Sequence, residues 1–226
     1  SAVTRRNKRE AVSKVSSSIR YTMLLTIPCA LGMAALGGPI IEMLFHPTSG
    51  LPLSAGIMQA GALMIILYGL STLTTAVLQG LGRLRDPLIH NAIALVLHII
   101  CLFVLLRHFN LNIYAVIYAN IFFALIVCVL NALSIRRCLP YRQELYKTFI
   151  VPTLASVIMA FGAYAVYSLF HLFAGNTAST VIAIAAGVLI YGIGLVSFRG
   201  VSSDEIARLP KGKLMIKMLR RLGLLR

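Results

Sequence analysis

Six apolar runs, at residues 21–45, 54–81, 87–106, 113–133, 149–173 and 177–198, leave this chain little choice but to fold as helices across a bilayer. Each supplies about the 20 residues that an α-helix needs to cross ~30 Å of hydrocarbon. The basic residues are partitioned by these runs. Twenty of the 21 Lys and Arg residues fall before the first run, in the second and fourth connections, or after the last; Arg107, in the third connection, is the exception. Such alternation is what the positive-inside rule predicts for six spans with both ends in the cytoplasm. The expected fold is therefore all-α: a polytopic membrane bundle of six transmembrane helices in a cytoplasmic (plasma) membrane, followed by a cytoplasmic amphipathic tail helix.

Composition agrees, with 59% hydrophobic and 12% charged residues, outside the range of soluble domains. A net charge of +15 would suit nucleic acid if it were spread over one face. Here it sits in short loops beside the spans, which suits anionic lipid headgroups at about 1 kcal/mol per basic residue, and no nucleic-acid partner is expected. Cys29, Cys101, Cys128 and Cys138 lie in or beside spans without CxxC spacing, as small apolar side chains do. The first 20 residues are polar and the first run is too long for a signal-peptide core. With Ser1 in place of an initiating Met, the chain is expected to be a piece whose upstream part is missing.

Local punctuation divides the chain further. Residues 1–20 form a basic lead-in helix. Pro28 removes one helical hydrogen bond, leaves the carbonyl of Leu24 crowded and predicts a kink. Ala30, Ala34 and Gly38 make a row along which another helix can approach closely. Gly80 and Gly82 predict a helix exit and a tight turn, and Asp86-Pro87 starts the next helix. Residues 21–135 form a four-helix part and 136–148 a cytoplasmic link, which leaves room for the hairpin 149–198 to stand apart. In the tail, 199–226, Ser202 and Glu205 have capping-box spacing, and Leu214, Met218 and Leu222 recur at helical intervals beside Lys217, Arg220 and Arg221.

Little in the sequence suggests covalent chemistry. Of the six acidic residues, five belong to connections or ends, so no carboxylate pair sits inside the membrane for acid–base work. Glu42 lies within a span near its outer end, where it either serves a proton, cation or headgroup or simply reaches interfacial water. His90 and His98 share a helix face only roughly, and packed or interfacial histidines explain them better than a metal pair. No phosphate loop, nucleophile elbow or HExxH occurs, and no cofactor is expected. The second span carries a polar stripe, Ser71, Thr75 and Gln79, four residues apart. Hydroxyls can bond back to their own helix, but an amide in lipid needs more partners, so Gln79 is expected to line a hydrated path. Asn120 and Asn131 raise the same question on the fourth span.

The segment "TIPCALGMAALGGPIIEMLF", the span end "STLTTAVLQGLGRLRDP" and the tail "SSDEIARLPKGKLMIKMLRRLGLLR" together resemble the C-terminal part of polysaccharide-type flippases. These belong to the MATE-like (multidrug/oligosaccharidyl-lipid/polysaccharide) exporter superfamily, and within it the likeness is to stage V sporulation protein B and lipid II flippase-like proteins. The resemblance implies the last six of fourteen spans, a missing N-terminal lobe as partner, and alternating access by rocking lobes. It implies transport of a polyprenyl-linked saccharide lipid, a polysaccharide or peptidoglycan precursor, without bond breaking. It also implies that the last two helices form a groove for the lipid tail. Ser71, Thr75, Gln79, Glu42 and Asn120 are then candidates for the substrate path. A cation-coupled multidrug exporter and a six-span scaffold without transport are the alternatives.

Overall fold

A computed structural model describes residues 2–45, 50–109, 111–139 and 146–198, with the backbone alone for residues 2–9. Among these residues there is no strand, and six helices are long and apolar enough to cross a membrane. They are α1 (Ala2–Phe45), α2 (Leu51–Gly80), α3 (Arg85–His108), α4 (Ile113–Cys138), α5 (Val151–His171) and α6 (Asn176–Ser197). The tail expected to be amphipathic lies outside the described residues.

The lead-in is not a separate element. It runs into the first span as one helix of 44 residues, ~66 Å at 1.5 Å per residue, about twice the hydrocarbon thickness. Its inner part is packed: Val15 and Ile19 join Met23, Ile27 and Leu139 in a buried cluster flanked by Leu81 and Phe149. The link is shorter than 136–148 suggests. Helix α4 continues through Cys138, and a π-helical turn, Tyr146–Ile150, precedes α5. Pro152, which has no N–H for the carbonyl four residues back, stands just after that turn, where a wider register is readily accommodated.

The helices form a row. α3 packs on α4, α4 on α2, α2 on α1, and α1 on the hairpin of α5 and α6. The hairpin meets the other spans through α1 alone among the described residues, so it is a flank of the row rather than a detached unit. Small residues allow the close approaches of α1 to α2 and of α5 to α6, as expected where lipid supplies no hydrophobic drive between helices. A Cβ on Gly37 would lie 3.6 Å from the Ala55 carbonyl oxygen, and one on Gly69 only 2.6 Å from Thr26 Cγ2. Across the hairpin, a Cβ on Gly194 would lie 3.3 Å from that of Ala155.

The turn from α2 to α3 behaves as its glycines predict. Gly82 takes the left-handed conformation at φ 77°, Gly82 N–H donates to Gln79 O at 2.9 Å and Arg83 N–H to Leu78 O at 3.0 Å. That pair of bonds is a Schellman closure of the helix end. Arg83 then ties the turn to two helices, with Nε 2.7 Å from Asp86 Oδ2 and Nη1 donating to Cys138 Sγ at 2.9 Å. These contacts, Cys138 foremost, make the guanidinium hold its proton more firmly than usual.

Candidate functional site

Pro28 is where the site begins. It stands inside α1 and gives no N–H to Leu24 O, and an unfilled carbonyl is costly in hydrocarbon. The donor comes from the far end of the chain: the Tyr191 hydroxyl of α6 donates to Leu24 O at 2.6 Å. Around this contact α1, α5 and α6 enclose a half-open groove of about 350 Å³. Its walls are almost wholly apolar and include Pro28, Gly32, Ile40, Met159, Val188 and Tyr191. From Leu24 to Ile40 the α1 wall rises ~24 Å, most of a hydrocarbon thickness. The glycines set its width: a Cβ on Gly32 would stand 3.6 Å from Met159 Cε, and one on Gly187 3.4 Å from Ala163 Cβ.

A polar cluster stands beyond the groove on the side away from the basic loops, joined to it through Tyr167, which packs against Leu36 and Ala163. Asn176 donates from Nδ2 to Pro39 O at 3.1 Å and accepts the Tyr167 hydroxyl at 2.8 Å. The Tyr167 ring stacks on His171 with centroids 5.2 Å apart. Glu42, half-buried, lies within electrostatic reach of Tyr167. Of the candidates expected from sequence, Glu42 is the one near this cluster, and none of the five lines the groove.

The polar stripe of α2 lies elsewhere, on the seam with α4. Ser71 is buried and donates to its own helix at Tyr68 O, 3.0 Å away. Thr75 accepts from Asn131 Nδ2 at 3.0 Å, and the same amide nitrogen is 3.1 Å from Thr74 Oγ1. Asn131 is fully buried, and its Oδ1 faces His90 Nδ1 of α3 at 2.7 Å. His90 Nε2 in turn lies 3.3 Å from Ser134 Oγ. Gln79 is exposed near the basic end of α2, and Asn120 is half-buried on α4. Neither joins this network or the groove. Among the described residues no three His, Cys, Asp or Glu side chains gather as a metal site.

Two groups escaped the sequence reading. Tyr191 drew no notice, although the carbonyl released by Pro28 was itself the signal that some donor had to arrive. Tyr167 carries no local signal of a polar role in its apolar span, yet its hydroxyl donates to Asn176.

The profile of one protein family, described as lipid II flippase MurJ, matches residues 1–188. No curated protein and no solved structure matches the chain.

Proposed function

The chain belongs to the lipid II flippase MurJ family, and from that membership we propose that the groove between α1, α5 and α6 seats the polyprenyl tail of the transported lipid. The family's members are flippases that move a polyprenyl-linked peptidoglycan precursor, and this chain is a multi-pass membrane protein. The observation that supports the tail assignment is the groove itself: long, apolar, open along one side, and as large as common ligand pockets. A tail entering it from the bilayer exchanges one apolar medium for another. The ~0.8 kcal/mol per CH₂ available on leaving water therefore contributes little, and dispersion contact with a shaped wall selects the ligand instead.

We further place the basic ends of the helices in the cytoplasm, because of where Lys and Arg stand. Glu42 then lies toward the outer face beside the polar cluster, where an acidic side chain disfavours the return of an anionic diphosphate headgroup and so favours its release outward. On a cysteine-free background, a cysteine at position 50 or 175 should react with an impermeant reagent from outside, and one at position 85 or 142 only from inside. The reverse pattern removes this orientation and the role of Glu42 with it.

The tail assignment has its own test. A photoreactive polyprenyl-phosphate analogue, bound to the full-length protein in proteoliposomes, should crosslink to α1, α5 and α6 near Met33, Met159 and Val188. Labelling confined to α2, α3 and α4 would refute the assignment.

A further inference from the structure

Buried hydroxyls determine where the hydrogens of the α2–α3–α4 network lie. Thr74 spends its hydroxyl hydrogen on its own helix, with Leu70 O at 2.8 Å and Ser71 O at 3.0 Å. Toward Asn131 it can only accept, so the Asn131 group facing it is the NH₂. Oδ1 is thereby turned to His90 Nδ1. An amide oxygen donates nothing, so Nδ1 carries a hydrogen whether the ring is neutral or charged. The second proton has one place to bind, Nε2, opposite Ser134 Oγ. With the ring neutral, Ser134 donates to Nε2. With the ring charged, Nε2 donates to Ser134, whose own hydrogen can turn to the carbonyl four residues back, at Leu130. Both states keep every hydrogen bond, and one hydroxyl rotor is all that changes.

We propose that His90 is a proton-binding site, taking up and releasing a proton at Nε2 while Asn131 holds the ring, and that the bound proton tightens α3 on α4. Charge-assisted hydrogen bonds are roughly twice as strong as neutral ones. α3 has few competing ties: Pro87 and Ala94 are its buried residues. Its other side-chain bond to α4 runs from His98 Nδ1 to Ala119 O at 2.9 Å. Charged neighbours are few as well. On α3, Asp86 stands one turn before His90 and is paired with Arg83. On α4, Cys138 lies one turn beyond Ser134 and takes the Arg83 hydrogen, while Arg136 and Arg137 are exposed. α2 carries no charged side chain, and its Tyr68 sits beside Phe123. The site lies across α2 from the tail groove and does not depend on its assignment.

The full-length protein with ¹⁵N-labelled histidine, in lipid nanodiscs, provides the test. The His90 signals, identified by their loss in His90→Asn, should show a pure Nδ1–H tautomer when neutral and gain the second proton at Nε2 on acidification. Asn131→Leu should replace the pure tautomer by a mixture. Amide exchange in α3, corrected for its intrinsic pH dependence, should slow about fivefold on protonation, the effect of ~1 kcal/mol. His90→Asn should lose that pH difference, as should Ser134→Ala, which leaves the Asn131 contact in place. An Nε2–H tautomer, a ring that stays neutral to pH 5, or exchange whose pH response survives in both variants would overturn the proposal.

Discussion

Val188→Trp should sharply reduce lipid transport by the full-length protein while leaving it folded. Val188 lines the groove yet is 66% exposed, so a larger side chain there meets no packed neighbour at rest. The indole instead occupies the space proposed for the tail. Forcing a tail past it resembles overpacking a core, at about 1–3 kcal/mol, so flipping in proteoliposomes should fall roughly tenfold or more. Leu189 is the internal control: it is equally exposed at 68% on the same helix but does not line the groove. Leu189→Trp should transport nearly as wild type. Normal transport by Val188→Trp, or equal losses in both variants, would show that the tail does not use this groove.

The second large effect concerns stability. Tyr191→Phe removes the hydroxyl that serves Leu24 O and leaves that carbonyl without its interhelical donor. Hydrogen bonds between membrane helices are worth about 0.6 kcal/mol on average and up to about 1.7, and a buried acceptor left open sits toward the upper end. Pro28→Ala restores a backbone N–H to the same carbonyl. In that background Tyr191→Phe should have almost no effect, because the helix then serves Leu24 itself. Thermal unfolding of the two single variants and the double variant gives the coupling directly. Additive losses would mean that the hydroxyl does not stand in for the missing N–H.

The number of spans, the approximate ends of most helices and the exit from α2 were legible in the local pattern of the chain. Bilayer thickness prescribes how many consecutive apolar residues a span needs, and Gly82 supplies the left-handed residue of its turn, so both are local facts. The pairing of small residues was half legible: Gly38 and its neighbours announced a close approach but not that Ala55 would be there. Assembly of the helices settles that the lead-in is packed, that the hairpin lies against α1, and that Tyr191, 167 residues away in sequence, answers Leu24. Only assembly turns the stripe of Ser71 and Thr75 toward α4 and joins Asn131 to His90. The reason lies in the solvent. A helix in water advertises its buried face by an apolar stripe, whereas these spans are apolar on nearly every side. Which face meets which neighbour is then left to close packing and to a few polar groups seeking partners, and both exist only once the helices are assembled.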